Sequence, residues 1–292
     1  MREKVTIPHL MEKRAKGEPI TMLTCYDYPT ALLEEKAGVD IILVGDSVGM
    51  TVYGHSSTLP VTMDIMIAHS QAVRRGAPGA LLIGDMPYLS YQISVTEAVR
   101  NAGRFMQEAA CDAVKLEGGR SMAPVVRALT DAGIPAMGHL GLTPQSLAML
   151  GGFRAQGRDA EAALRVIEDA AILERAGAFS ILLEAVPPEV GEEATRRASI
   201  PIISIGAGPH CDGQLLIVHD LLGFFERFTP RFVKKYADLN RTILEAFQAY
   251  LGDVAARDFP SPEHCYPMKK GELARLASLL ESSQGRCEED KP

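Results

Sequence analysis

Four times along this 292-residue chain an apolar run passes directly into an acid. Ile41-Ile42-Leu43-Val44 leads through Gly45 to Asp46 and Ser47. Leu81-Leu82-Ile83-Gly84 leads to Asp85, Ala113-Val114-Lys115-Leu116 to Glu117, and Ser180-Ile181-Leu182-Leu183 to Glu184. A short unbroken apolar run reads as a strand covered on both faces, the pattern of parallel sheets. Four acids at four strand ends make a site if those strands lie side by side.

The rest of the chain supplies the alternation this requires. Strands are expected at 19–24, 41–44, 81–84, 113–116, 135–139, 180–183, 201–205 and 215–219. Helices are expected at 29–38, 62–75, 96–110, 122–132, 159–175, 188–198 and 232–252. A polar helix over 7–15 precedes them. No Asn-Gly hairpin signal interrupts the series, so the strands are parallel with right-handed crossovers. Eight units point to an α/β chain of (β/α)₈ TIM-barrel type, and no G-x-G-x-x-G follows the first strand to argue for a dinucleotide fold. The expected organisation is one barrel domain with its N-terminal helix over 1–268 and a polar C-terminal extension over 269–292. Two long Gly-rich loops, 46–60 and 140–157, carry a functional expectation of their own.

Composition excludes several classes. A formal charge of −7 argues against a nucleic-acid or anionic-membrane partner. The five cysteines show no CxxC or CxxH spacing, which disfavours a disulfide framework or structural zinc site and suits a reducing compartment. Residues 1–17 are charged and unlike a secretory signal, and no stretch approaches the roughly 20 apolar residues of a membrane span. The expectation is a soluble, cytoplasmic protein.

At the C-terminal face of a barrel Asp46, Asp85, Glu117 and Glu184 would share one pocket with Lys115 and His139. Packed carboxylates repel, so the cluster needs a cation or raised pKa values. Oxygen-only ligands favour a hard divalent ion such as Mg²⁺, with Asp46, Asp85 and Glu117 as ligand candidates, one of them by way of water. Lys115 sits two residues before Glu117, so strand alternation puts both on the inner face. There it neutralises a bound carboxylate or developing enolate, or simply pairs with an acid; a Schiff-base role is disfavoured by the surrounding acids. Glu184 stands apart, before Ala185-Val186-Pro187-Pro188, and suits a general base or a fourth metal ligand. His139 is a candidate hydrogen-bond donor to substrate or a buried structural histidine. Gly206-Ala207-Gly208 lies where barrels often hold phosphates.

The motifs also carry a resemblance. Gly45-Asp46-Ser47-Val48-Gly49-Met50-Thr51-Val52-Tyr53-Gly54-His55, Thr58-Leu59-Pro60-Val61-Thr62, Val114-Lys115-Leu116-Glu117-Gly118-Gly119, Gly138-His139-Leu140-Gly141-Leu142-Thr143-Pro144-Gln145-Ser146 and Gly206-Ala207-Gly208 with Asp212-Gly213-Gln214 resemble ketopantoate hydroxymethyltransferase (3-methyl-2-oxobutanoate hydroxymethyltransferase) over roughly residues 3–266. The resemblance implies a barrel of the phosphoenolpyruvate/pyruvate type and a Mg²⁺ enzyme of pantothenate biosynthesis. Such an enzyme uses 5,10-methylenetetrahydrofolate to hydroxymethylate 3-methyl-2-oxobutanoate, giving 2-dehydropantoate. The metal ligands it implies are Asp46, Asp85 and Glu117, the keto-acid contacts Asp46, Ser47, Asp85 and Lys115, and the base Glu184. It also implies a cytoplasmic homodecamer.

Two rivals differ in class. One is another Mg²⁺-dependent enolate-forming carbon–carbon lyase on the same barrel, which usually carries a reactive cysteine in a mobile loop; loops 46–60 and 140–157 contain none. The other is a keto-acid sensor on a dead barrel, which predicts a lost base, whereas Glu184 is present.

Overall fold

A computed structural model describes residues 3–289. Residues 1–2 and 290–292, the latter ending the expected C-terminal extension, lie outside the described residues. The chain divides into two compact units, 1–238 and 239–292, whereas composition suggests a boundary at 268.

In the first unit eight parallel strands close in sequence order into a barrel. They are β1 (Ile20–Thr24), β2 (Ile41–Val44), β3 (Leu81–Asp85), β4 (Ala113–Glu117), β5 (Ala136–Gly141), β6 (Ser180–Glu184), β7 (Ile202–Ile205) and β8 (Gly213–Leu216). The helices are α1 (Ile7–Ala15), α2 (Tyr28–Ala37), α3 (Val48–Thr51), α4 (Met63–Gly76), α5 (Val95–Ala109), α6 (Ala123–Asp131), α7 (Leu147–Leu150), α8 (Ala160–Ala176), α9 (Pro188–Arg197) and α10 (Val218–Leu221). Asp27, Thr62, Ser94 and Asp159 cap α2, α4, α5 and α8 by accepting from a backbone N–H three residues on. The second unit consists of α11 (Leu239–Ala256), a short 3₁₀ turn at Pro262–His264 and α12 (Glu272–Glu289).

Two-residue alternation sorts the strand side chains into two cores. Ile41, Leu43, Leu81, Ile83, Ala113, Met137 and Leu182 fill the barrel interior. Ile42, Val44, Leu82, Val114, Leu116, Ile181 and Leu183 pack outward beneath the helices. A strand buried on both sides needs apolar residues at every position, which is why these runs are unbroken. The same parity continues to the strand ends, so the next inward positions fall on Asp85, Lys115, Glu117, His139 and Glu184.

The N-terminal helix is the barrel's plug. Val5 and Leu10 join the inner core. Three ion pairs hold the segment there: Lys4 to Asp112 at 2.8 Å, Lys13 to Asp40 at 2.7 Å and Arg14 to Asp212 at 3.1 Å.

Two expected boundaries move. The apolar run Leu215-Leu216-Ile217-Val218 suggests a strand over 215–219, but β8 runs from Gly213 to Leu216. The Val218 N–H then donates to Thr24 Oγ1, turning the chain into α10. The helix expected over 232–252 begins at Leu239 instead. Loop 46–60 contains one turn of helix, α3, and loop 140–157 a 3₁₀ turn at Pro144–Ser146 followed by α7.

One buried group on α2 strains this arrangement. Neither carboxyl oxygen of Glu34, 5% exposed, has a hydrogen-bond partner among the described residues. Burial, then the charge of Asp27, pushes its pKa up to about 8. The unfolded chain releases this proton near pH 4.5 while the folded chain keeps it to about 8, so stability falls as pH rises through that window. Each pH unit costs about 1.4 kcal/mol while the two states differ by a full proton. Glu34→Gln should therefore melt higher than the parent at pH 8, by at least about 2–4 °C. The gap should close toward pH 5 in a calorimetric pH series, and a pH-independent difference would refute it.

Candidate active site

The C-terminal strand ends open into a cavity of about 810 Å³, lined at its floor by Asp46, Ser47, Asp85, Lys115, Glu117, His139 and Glu184. The floor is almost closed to solvent: Asp46 is 4%, Asp85 2%, Lys115 2%, Glu117 5% and His139 2% exposed. Every candidate residue named from the sequence therefore meets in one place.

Strand register puts them in order. Asp85 lies beside Lys115, Glu117 beside His139, and Gly141 beside Glu184. Lys115 Nζ is 2.8 Å from Asp85 Oδ1 and 3.3 Å from His139 Nδ1. His139 is also 3.3 Å from Glu117 through Nδ1 and 3.2 Å from Glu184 through Nε2. Its ring thus spans the floor from the Lys115 group to Glu184. The Asp46 backbone N–H donates to Asp85 Oδ2 at 3.0 Å, so the second and third strand ends are cross-tied. Ser47 Oγ is paired with Tyr26 OH at 2.8 Å, and Tyr26 is itself 1% exposed.

Burial dominates the electrostatics. It raises the pKa values of Asp46 and Asp85, with like-charged neighbours adding to the effect, and lifts Glu117 to about 7. Burial opposes the Lys115 ammonium, but Asp85, Glu117 and Asp46 outweigh it and keep Lys115 charged. For His139 burial comes first and the Lys115 charge second, and both favour neutral imidazole. Three carboxyls face one ammonium, so the floor has room for further positive charge.

The donor chemistry fits a hard divalent cation. All three carboxyls present oxygen; Asp85 Oδ1 has the Lys115 ammonium beside it at 2.8 Å, and Glu117 Oε1 is buried with only the His139 ring nitrogen at 3.3 Å. Among the described residues no three His, Cys, Asp or Glu side chains form a ready ligand set. Mg²⁺ does not need one, because it is held by one or two carboxylates plus waters and substrate oxygens.

A second tier of residues orders the acids, and it was not recognised as functional in the sequence. Gln145, 6% exposed, donates from Nε2 to Asp46 Oδ2 and from its backbone N–H to Glu117 Oε2, each at 2.9 Å. Its Oε1 accepts from Tyr91 OH at 2.7 Å, and Tyr91 OH accepts from the Glu117 N–H at 3.0 Å. The Gly-rich 140–157 loop was the available signal, but spacing along the chain does not show that an amide there reaches back to Asp46.

Gly206-Ala207-Gly208 is not an open cradle. A side chain at Gly206 (φ +76°) would overlap the Phe232 ring, and one at Gly208 would meet Pro188 at 2.6 Å. Gly141 (φ +90°) has a sharper duty, since a Cβ there would overlap the Glu184 carbonyl oxygen. The next residue, Ala185, is held at φ +48°, so Glu184 stands at a tight bend fixed from both sides.

Solved structures place this fold. The crystal structure of 2,3-dimethylmalate lyase, a PEP mutase/isocitrate lyase superfamily member, matches with a TM-score of 0.56 at 16% identity, covering 97% of this chain and 98% of that one. The two chains share the (β/α)₈ barrel fold. Sequence narrows the class: a family model described as ketopantoate hydroxymethyltransferase matches residues 4–262. The 3-methyl-2-oxobutanoate hydroxymethyltransferase of Syntrophomonas wolfei is 52% identical, covering 94% of this chain and 99% of its own. That of Moorella thermoacetica is 54% identical, covering 91% and 98%. The chain belongs to the ketopantoate hydroxymethyltransferase family.

Gly141→Ala tests the bend. An added methyl group must displace the Glu184 backbone, and if Glu184 takes part in the reaction a misplacement of about 1 Å costs on the order of 10²-fold. Turnover in the variant should fall by about that factor, with a smaller change in KM for the keto acid. Wild-type turnover would show that the close approach positions nothing.

Proposed function

We propose that this chain transfers a hydroxymethyl group from 5,10-methylenetetrahydrofolate to 3-methyl-2-oxobutanoate, giving 2-dehydropantoate in pantothenate biosynthesis. The observation that carries the reading is the division of the floor into two parts. Asp46, Asp85, Glu117 and Lys115 form one charged group, and Glu184 is set across His139 from it, 3.2 Å from Nε2.

Asp46 and Asp85, with Glu117 directly or through water, are the residues to hold Mg²⁺. Bound there, the ion would supply Lewis-acid polarisation of the 2-oxo group and charge against its enolate. Lys115, held cationic by three acids, neutralises the substrate carboxylate and the developing enolate oxygen. Ser47, aimed by Tyr26, offers its hydroxyl to the keto acid, and His139 hydrogen-bonds substrate or holds Glu184 in place. Glu184 takes the C3 proton as general base. The enolate carbon attacks the one-carbon unit of the folate; water then supplies the hydroxyl group and tetrahydrofolate leaves.

The reading includes a cytoplasmic, self-associating enzyme, a homodecamer by the family resemblance. Among the described residues no helix is long and apolar enough to cross a membrane. Cys25, Cys111, Cys211 and Cys265 are free thiols, which suits a reducing compartment. Phe247 and Leu251 on α11 are 63% and 64% exposed, apolar surface of the kind a second copy covers.

Purified protein with Mg²⁺ should exchange C3 deuterium of 3-methyl-2-oxobutanoate without folate and form 2-dehydropantoate once methylenetetrahydrofolate is added. Cleavage of a longer acid without folate dependence would favour the lyase instead. Glu184→Gln should lower exchange by about 10²–10⁴-fold, and normal exchange in this variant would remove Glu184 as the base. Asp85→Ala should raise the Mg²⁺ needed for half-activation by at least about tenfold, and an unchanged Mg²⁺ titration would strike it from the ligands.

A further inference from the structure

The catalytic groups occupy only the floor of the cavity. At about 810 Å³ the space is near the upper end of the roughly 300–1,000 Å³ that holds a drug-sized ligand, and a branched five-carbon keto acid leaves most of it free. The walls above the floor are aromatic. Phe153 and Phe228, 46% and 54% exposed, face one another with ring centroids 6.2 Å apart at a tilt of 33°, and Phe232 lies beside them on the lining.

Three arginines complete the lining: Arg154, Arg158 and Arg231. All three are exposed. None of their guanidinium groups has a hydrogen-bond or ion-pair partner among the described residues. Elsewhere the chain commonly pairs its arginines: Arg14 with Asp212, Arg74 with Asp112, Arg104 with Asp64 and Glu108, Arg120 with Glu168 and Asp169. Three unpaired cations around one opening, on a chain of net charge −7, describe a site for a ligand that carries several negative charges at its outer end. The planar guanidinium fork matches carboxylate geometry.

We propose that Arg154, Arg158 and Arg231 bind the glutamate carboxylates of the folate co-substrate, and that the Phe153–Phe228 wall carries its ring system. This assignment rests on the hydroxymethyl-transfer reading. It also explains how the co-substrate is oriented. The keto acid already occupies the floor, while the cationic rim attracts the anionic tail. The uncharged pterin end therefore enters first, and the one-carbon unit arrives over the keto acid. Aromatic walls accept a flat heterocycle by stacking without specifying its edge.

The test compares kcat/KM for 5,10-methylenetetrahydrofolate with that for 5,10-methylenetetrahydropteroate, which lacks the glutamate. In the wild-type enzyme the glutamylated compound should be favoured about tenfold, from several partly exposed charge pairs, and added salt should reduce the preference. Arg154→Ala, Arg158→Ala and Arg231→Ala should each lower the ratio, and the triple variant should bring it close to one. Arg158→Lys should recover part of it. The ratio cancels the active fraction, so a partly unfolded preparation still reports. A wild-type ratio near one, or a ratio unmoved in the triple variant, overturns the arginine assignment. Deuterium exchange and product formation by the wild-type enzyme are read in the same series. Their absence would sink the transfer reading itself, whereas their presence with an unmoved ratio sinks only the rim.

Discussion

The structure depends on how one ammonium is shared among buried acids. Lys115 sits in the barrel floor with Asp85 at 2.8 Å and Asp46 and Glu117 close enough to hold its charge against complete burial. A lone buried ammonium would lose its proton, and lone buried carboxyls would keep theirs. Together they stabilise one charged pair and leave carboxyl oxygens over, Glu117 Oε1 among them without a hydrogen bond. An interior of this kind is expensive, so the groups around it must be held in register. The cross-tie from Asp46 N–H to Asp85 and the two donations from Gln145 do that holding.

Barrel topology makes the arrangement affordable in geometry, because a closed parallel sheet brings strand ends to one face whatever their separation in sequence. Asp46 and Gln145 are 99 residues apart and hydrogen-bonded. Inward parity decides which side chain arrives: Ile83, Ala113, Met137 and Leu182 fill the barrel one step below Asp85, Lys115, His139 and Glu184. Closing the opposite end falls to α1 and the residues before it, where Val5 and Leu10 join the inner core.

This explains what was legible in the sequence. Apolar runs ending in acids are local signals, and both the barrel and the meeting of Asp46, Asp85, Lys115, Glu117, His139 and Glu184 follow from them by topology. Gln145 and Tyr91 were not legible as functional, since an amide and a phenol acquire their roles only from partners distant in sequence. The arginine rim was hidden for a similar reason: Arg154 and Arg158 lie in one loop and Arg231 more than 70 residues on, and nothing local marks a guanidinium as unpaired. The misplaced eighth strand shows the limit of hydrophobicity itself. Leu215-Leu216-Ile217-Val218 is apolar throughout, but a Thr24 hydroxyl captures the Val218 N–H and ends the strand early.

The bend beside Glu184 sets its carboxyl apart from the Asp46, Asp85 and Glu117 group. Ala185 at φ +48° and the bare Cα of Gly141 turn the chain where Glu184 ends the strand, and its side chain is 15% exposed against 2% for Asp85 and Glu117. A carboxyl at the edge of the cavity can take a proton from substrate and pass it to solvent, which a sealed one cannot. His139 fills the gap between the two groups, and the Lys115 charge beside it favours neutral imidazole after burial has done most of that work. A neutral ring can accept at one nitrogen and donate at the other, so it joins the two halves of the floor without adding charge to either.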